Sequence, residues 1–408
     1  MILEYHCENY CSIGKEIAFS LLASNDNSLQ DNLEPEDISS RKILRSAVIY
    51  GANGSGKSNF IRSLRYLKTL VVNSIRFQPG DRLPFFPHKL LEDRNTKFTI
   101  HFTKGKNRFL YYVELNDKRI EKEYLYYYPN NRVAKIFERE KDDVSFSKPF
   151  ASQLAIVKNS VLKENRLFLS CAASNSNTEE IIDAFTFFNN DIVVLSDQES
   201  YLVYSTRCVQ SDSKMKESVL DFMHQIGEKD LVGISAKADD KTEAFDSSLL
   251  FNRDLTDKPS FGSTVKLNYG LFTLDLNESS SGLQKLFEIL PLFIDIINND
   301  KILLVDEFET HLHPLMVSQL LKLFKQANRS KAQMIFTTHD INLLSLDLFR
   351  RDQIWFTDMC DKHMSDLFSL AEVKAVRKDE NISKNYLLGK YRGIPMVDSE
   401  RKIRLLDN

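Results

Sequence analysis

Gly51-Ala52-Asn53-Gly54-Ser55-Gly56-Lys57-Ser58 is the stretch on which the reading of this chain turns. Its pattern, G-x-x-x-x-G-K-S, is a phosphate-binding loop. Glycines let the backbone curl so that successive N–H groups point inward at anionic oxygens. A lysine at the seventh position brings a fixed positive charge to the β- and γ-phosphates, and the following hydroxyl suits Mg²⁺. Gly51, Asn53, Gly54, Ser55, Gly56, Lys57, Ser58 and the adjoining Asn59 are therefore the candidate ATP contacts. The flanks fit the mechanism. A mostly apolar run from Ile43 to Tyr50 predicts a strand before the loop. Phe60, Ile61, Leu64, Leu67 and Leu70 follow at helical spacing, so a helix dipole should end at the phosphates.

Further motifs complete an ordered set. Ile302-Leu303-Leu304-Val305-Asp306-Glu307 reads as a buried strand expected beside the phosphate-loop strand. Asp306 at its end would hold the Mg²⁺ shell through water, with Ser58, and Glu307 would polarise an attacking water. Ser279-Ser280-Ser281-Gly282-Leu283-Gln284 opens a helix predicted over 282–297. Taken alone it is a good N-cap, but small residues there also make an anion site. Met334-Ile335-Phe336-Thr337-Thr338-His339-Asp340 reads as a strand that delivers His339 to the sheet edge where open α/β sheets bind ligands. A lone histidine is more often structural; this one completes the order.

With 408 residues, 42% hydrophobic and 27% charged, the chain can fill a sizeable core and divides into two or three units. We expect an α/β fold in which strands alternate with helices around the motifs, with a β-meander lobe over residues 97–140. The units are 1–149, the N-terminal half of the nucleotide-binding head; 150–255, an inserted, mainly helical arm; and 256–408, the C-terminal half. The tyrosines of the meander read as sheet surface and core rather than as a base-stacking platform. A formal net charge of -3 supplies no global field toward nucleic acid or anionic membrane. The tail from Lys374 to Asn408, with nine Lys/Arg against five Asp/Glu, reads as a solvated face. Five scattered cysteines without a C-x-x-C pair indicate neither zinc nor a disulfide framework and fit a reducing cytosol. The start Met1-Ile2-Leu3-Glu4-Tyr5-His6 has no signal-peptide pattern, and the longest apolar stretch, 289–297, is too short to span a bilayer. The localisation expected is cytoplasmic, with no membrane partner.

The order of phosphate loop, S-S-G-x-Q, apolar-D-E and T-T-H-D resembles the ABC-type P-loop ATPase head of the RecF, SMC and OLD class. Within that class the chain is similar to bacterial anti-phage defence ATPases of the RloA/AbiLi type, with AriA of PARIS and PtuA of Septu as relatives. The stretches that carry this are Ser281–Phe287, Leu312-His313-Pro314, Arg350–Phe356 and Arg377-Lys378-Asp379-Glu380-Asn381, with a looser match at Asn165–Ser170. The resemblance implies a mixed sheet flanked by helices and ATP sandwiched between two subunits. Lys57, Ser58, Asp306, Glu307 and His339 would act from one copy, with Glu307 and His339 catalytic. Ser280, Ser281, Gly282 and Gln284 would reach the other copy's γ-phosphate. Mg²⁺ and ATP are the cofactors implied, and a homodimer or higher oligomer the assembly. Two departures stand out. The loop that usually ends in Leu-Asp has Leu312-His313, and the Mg²⁺-sensing glutamine has only Gln78 as a candidate. His311 and His313 lack a third partner for a metal site.

Three functions compete. A defence ATPase, triggered by a phage product, would control a separate effector or toxin protein, since no acidic nuclease pattern follows His339. A RecF- or SMC-like repair or chromosome ATPase would bind DNA; the net charge and the lack of long heptads weigh against it. A transporter subunit is disfavoured by the long insertion between Lys57 and Ser281.

Overall fold

The computed structural model describes residues 1–34, 41–195, 200–238, 263–310, 312–326, 331–374, 376 and 380–394. The chain opens with the antiparallel pair β1 (Ile2–Glu8) and β2 (Ile17–Ser20) and then enters β3 (Ser46–Gly51), whose six residues are all buried. After the glycine-rich loop, α1 (Lys57–Asn73) buries Phe60, Ile61, Leu64, Leu67 and Leu70 along one face. β4 (Thr96–Lys104), β5 (Asn107–Leu115), β6 (Ile120–Tyr127), β7 (Ala134–Glu140) and β8 (Asp143–Phe146) form the expected meander. Buried Phe98, Ile100 and Phe102 alternate with more exposed neighbours, the period of a strand with one wet face. These strands extend β1 and β2 into a seven-stranded antiparallel sheet, β2-β1-β4-β5-β6-β7-β8. On its wet face Tyr112 stacks on Tyr124, and the Tyr112 hydroxyl donates to Glu114.

Three helices follow, α2 (Ala151–Ser160), α3 (Phe168–Asn175) and α4 (Glu179–Thr186), and then β9 (Ile192–Leu195), α5 (Leu202–Ser211) and α6 (Ser213–Gln225). β10 (Gly233–Ala238), β11 (Ser263–Asn268) and β12 (Thr273–Asp275) make a small antiparallel sheet. The remaining elements are α7 (Ser281–Asn298), β13 (Ile302–Val305), α8 (Pro314–Gln326), β14 (Gln333–Thr337), β15 (Ile354–Cys360), β16 (Met364–Ser369) and α9 (Ile382–Leu387).

The central sheet runs β16-β15-β3-β14-β13-β9, parallel except for β16. Its strands feed two cores by strict alternation. Ala47, Ile49, Leu304 and Ile335 pack with α1 and the seven-stranded sheet; Val48, Tyr50, Val305 and Phe336 pack with α7 and α8. This is the mixed α/β architecture of a P-loop NTPase. One expectation is corrected here. The strand ending in Asp306-Glu307 does not lie beside β3, because β14 sits between them. Both β3 and β13 spend their inner edge on β14, so the histidine strand is the common neighbour.

Of the stretch 150–255, read as one inserted arm, residues 196–199 and 239–255 lie outside the described residues; the rest divides between the two cores. Leu154, Phe168, Ile181 and Phe187 join the first, Val209, Val219 and Phe222 the second, and β9 enters the central sheet itself. Among the described residues no helix is long and apolar enough to cross a membrane. Of the C-terminal stretch Arg377–Asn381, residues 377–379 lie outside the described residues, as do Ala375 and 395–408 of the tail.

Buried polar side chains, each with named partners, staple the layers. Gln333 accepts from the Ile2 amide at 2.6 Å and donates to the Ile2 and Leu44 carbonyls, so it ties β1 to the central sheet. Glu123, fully buried, accepts from the Phe168 and Leu169 amides at the start of α3 and from Tyr111. Arg350 is 1% exposed. It forks onto Asp352 at 2.9 and 2.8 Å and donates to the carbonyls of Ser24, Asp26 and Ser28. Two sequence stretches singled out above, Asn165–Ser170 and Arg350–Phe356, thus hold the frame together. Arg350→Ala should lower unfolding free energy by about 3–5 kcal/mol, because it leaves the buried Asp352 carboxylate without its counter-ion, although Ser24 still donates to it, and three carbonyls without this donor. Arg350→Lys should recover only part, since an ammonium cannot reproduce the fork. Urea midpoints measure both; a shift worth less than about 1 kcal/mol would contradict this role for Arg350.

Candidate functional site

The glycine-rich loop joins the C-terminal end of β3 to α1, and its geometry explains each glycine that the motif demands. A Cβ on Gly51 would lie 2.2 Å from Thr357 Oγ1 and 2.5 Å from Ser55 Oγ. Gly56 sits at φ +109°, a left-handed conformation costly for any L side chain, and its Cβ would fall 2.1 Å from Ser365 Oγ. Gly54, at φ +78°, faces open space. The loop is braced from outside the motif. Ser55 and Thr357 share a hydrogen bond of 2.6 Å, Asn59 donates to Ser12 Oγ at 2.7 Å, and Ser365 donates to the same Ser12 oxygen at 2.7 Å. Asn59, grouped with the ATP contacts from its position, is thus committed to Ser12. No side chain caps the first turn of α1, which contains no acid, so its amides and dipole face the loop uncompensated. That combination is a cradle for polyphosphate.

Lys57 is buried and donates to the carbonyls of Gly51 at 2.9 Å and Ala52 at 3.1 Å. Burial pushes its pKa down, while Asp306, Glu307 and Glu309 pull it back up. Ser58 is half-buried and Asn53 exposed beside it.

The acids and the histidine reach the same edge through a short lock between β13 and β14. The ladder ends at Val305 and Phe336. Beyond it the Thr337 hydroxyl donates to Asp306 Oδ1 at 2.8 Å and accepts the Glu307 amide at 2.8 Å. The Phe308 amide then donates to the Thr337 carbonyl at 3.0 Å, and the His339 amide to Glu309 Oε1 at 2.5 Å. Glu307 itself is left-handed, φ 54°, which turns the chain and leaves its side chain exposed. The His339 side chain is also exposed at this edge. Its pKa is lowered first by the partial loss of water around it and then by the Lys57 charge, against the pull of Glu309, Glu307 and Asp306. Thr337 enters the sequence reading only as part of the T-T-H-D stretch, without a role of its own, and Thr357 and Glu309 do not enter it at all. An isolated threonine and a third acid carry no pattern of their own; only the spacing of Glu309, two after Glu307, was there to be read.

The other predicted residues fall elsewhere. Ser280 is the N-cap of α7, its hydroxyl accepting from the Leu283 amide at 3.3 Å, and Ser281 is exposed on the first turn with Gly282 partly exposed. Gln284 turns back to donate to the carbonyls of Asn277 and Ser279, so it closes its own loop. Gln78 is a correction. It follows the far end of α1, which runs 17 residues from Lys57, about 25 Å at the helical rise, so it is not brought to the loop. Its carbonyl is held instead by Asn165. His313 caps α8: its Nδ1 accepts from the Leu315 amide and its carbonyl from Met316 and Val317. His311 lies outside the described residues, and among those described no group of three or more His, Cys, Asp or Glu could hold a metal ion.

Comparison with known proteins follows the same line. A family model described as "AAA domain, putative AbiEii toxin, Type IV TA system" matches residues 46–157 and 204–345. Among solved structures, the SMC head domain from Thermotoga maritima is similar at 13% identity over 90% of this chain and 98% of that one, with a TM-score of 0.44. An SmcHead bound to the C-winged helix domain of ScpA is similar at 15% identity, covering 92% and 99%, with a TM-score of 0.45. An Smc head with an extended coiled coil, bound to the C-terminal domain of ScpA derived from Pyrococcus furiosus, covers 90% and 96% at 14% identity and a TM-score of 0.40. No curated protein matches the chain.

The electrostatics of this edge can be checked directly. His339 should titrate below the ordinary histidine value of 6.5 and so be neutral at physiological pH. Lys57→Ala should move the midpoint upward by removing a like charge. NMR of ring-labelled histidine, assigned by the resonance lost in His339→Gln, measures both; a midpoint at or above 6.5 would contradict the geometry.

Proposed function

This chain belongs to the AAA-domain family matched over residues 46–157 and 204–345, and we propose that it binds and hydrolyses ATP between two copies of itself. The observation that carries the reading is the convergence of β3, β14 and β13, whose parallel register brings Lys57, His339, Asp306 and Glu307 to one edge of one sheet. In this reading the loop amides, the start of α1 and Lys57 hold the phosphates. The cradle without Cβ atoms at Gly54 and Gly56 fits such a group. Ser58 and Asp306 offer the hard oxygen donors that Mg²⁺ takes; bound with the nucleotide, the ion would neutralise charge on the phosphate oxygens. Glu307, exposed beyond the lock, orients and deprotonates the attacking water. His339, neutral, bonds the γ-phosphate. Catalysis is positioning and charge stabilisation, with no covalent enzyme intermediate.

Ser281 and Gly282 lie exposed or partly exposed at the start of α7, a placement that supports presentation to the nucleotide of a second copy. Ser280 and Gln284 have a different part in this scheme: they shape that turn rather than touch phosphate. ATP then acts as a clamp between copies, and the product of hydrolysis is release. The family's description names a toxin and a toxin–antitoxin system. Together with the stretches Leu312-His313-Pro314 and Arg350–Phe356, it supports an anti-phage role in which the ATPase restrains a separate effector until infection. The other reading, a chromosome or repair ATPase, predicts ATP-dependent DNA binding that weakens steeply with salt.

Lys57→Ala should raise the Kd for ATP by roughly tenfold or more, measured by titration calorimetry. Glu307→Gln should bind ATP normally and hydrolyse it about 100-fold more slowly or worse. It should also run as a dimer in ATP by light scattering, whereas Lys57→Ala should not. Hydrolysis by Glu307→Gln at the parent rate would remove Glu307 from its role. A strain carrying the gene with its neighbours that plates phage as well as one without them would count against defence.

A further inference from the structure

Glu309 has no part in the scheme above, yet it is the acid most closely joined to the site. The turn after β13 carries it there: Glu307 adopts the left-handed conformation, the Thr310 amide closes onto the Glu307 carbonyl at 2.9 Å, and the Phe308 amide fastens the turn to Thr337. Glu309 Oε1 then receives the His339 amide at 2.5 Å. This is the last bond of the β13–β14 lock, and it acts on the histidine rather than on the strand. The backbone of His339 has left the ladder at this point, so no strand partner holds it. The next residue is fixed from another side: the Asp340 carbonyl accepts from Tyr50 Oη at 3.3 Å, and its amide donates to Thr338 Oγ1.

The other oxygen, Glu309 Oε2, is buried and meets no hydrogen-bond donor among the described residues. Burying that oxygen without a partner is costly, and the bond that offsets the cost is the one its neighbour Oε1 makes to the His339 amide. Its charge is felt by Lys57, His339 and Tyr50.

We infer that Glu309 is a positioning residue that fixes His339 at the sheet edge through the His339 amide. The inference rests on the ATPase reading and extends it. The imidazole is exposed and cannot be held by packing, so its aim is set by its backbone. Thr338 is anchored by its amide to the Ile49 carbonyl at 3.2 Å and Asp340 by Tyr50, so without the Oε1 contact the peptide of His339 turns between these two fixed points and the ring leaves the line of the γ-phosphate. The defect falls on the chemical step and not on nucleotide capture, which belongs to the loop of residues 51–58.

Steady-state hydrolysis and ATP affinity of Glu309→Ala, Glu309→Asp and Glu309→Gln in the full chain test this. Ala removes the acceptor, and Asp draws it back by one methylene. Both should lower kcat roughly 10- to 100-fold with KM and Kd held within about threefold. Gln retains an oxygen for the His339 amide and should keep kcat within about threefold of the parent. In a His339→Ala background, Glu309→Asp should cost almost nothing further, the coupling expected when one residue acts through the other. Should Glu309→Ala fail to fold, the Asp and Gln pair and the double variant still decide. Gln as damaged as Ala, or Asp as active as the parent, overturns the inference, as does an additive double variant. A parent protein that neither binds nor hydrolyses ATP overturns the ATPase reading, and this inference with it.

Discussion

One hydroxyl group holds together the sheet edge at which Asp306, Glu307 and His339 meet. Thr337 stands at the first position past the β13–β14 ladder, and its Oγ1 serves two masters: it accepts the Glu307 amide and donates to Asp306. Parallel strands that end side by side splay under their right-handed twist. Here the splay is opposed by a side chain that replaces the missing backbone pair. Orientation of the carboxylate and placement of the next residue follow from the same atom. The pKa of His339 feels that arrangement too: partial burial and the Lys57 charge lower it, while Asp306, Glu307 and Glu309, held in place at this edge, pull it part of the way back up.

Around this edge the constraints are steric as much as electrostatic. Gly51 has Thr357 and Ser55 against the place where a Cβ would be, and Gly393 comes in from the C-terminal segment with its own Cβ position 3.8 Å from Gly51 Cα. Gly56 is hemmed by Ser365 and Ser12. The loop is therefore a backbone wedged between neighbours, and its curvature is imposed by packing rather than by the glycines alone. A stack of aromatic rings, Tyr50, Phe356, Tyr386 and Tyr391, continues that wedge to α9.

The parts that were legible in the sequence are those whose chemistry is local. The strand, loop and helix at 46–73 can be read from one window, because the glycines, the lysine and the helical spacing all act within it. The meander strands declare themselves by alternation and by turn residues such as Gly105. What could not be read is adjacency between distant segments. The histidine strand separates β3 from β13, and nothing in three apolar runs says which lies in the middle. β9 is only four residues long and was lost among helical patterns, so a stretch that feeds both cores and the sheet looked like an arm. Gln78 is carried away from the loop because its position depends on how long α1 runs, and the bonds of Asn59 to Ser12 and of Gln284 to the carbonyls of Asn277 and Ser279 join partners that the motif alone does not name. Thr337 and Glu309 are common residues whose importance comes wholly from what the fold sets against them.

The order of the central sheet also bears on how the protein is born. β3 leaves the ribosome early, but both of its neighbours, β14 and β15, are encoded far downstream. The bond between Ser55 and Thr357 spans 302 positions, and that between Ser12 and Ser365 spans 353. The seven-stranded sheet can form while translation proceeds, whereas β3, buried along its whole length in the finished fold, must wait as an unpaired edge. A nascent or prematurely terminated chain thus displays the glycine-rich motif without the walls that shape it. The glycine-rich loop takes its final shape only after Thr357 and Ser365 have been made, some three hundred residues behind the motif itself.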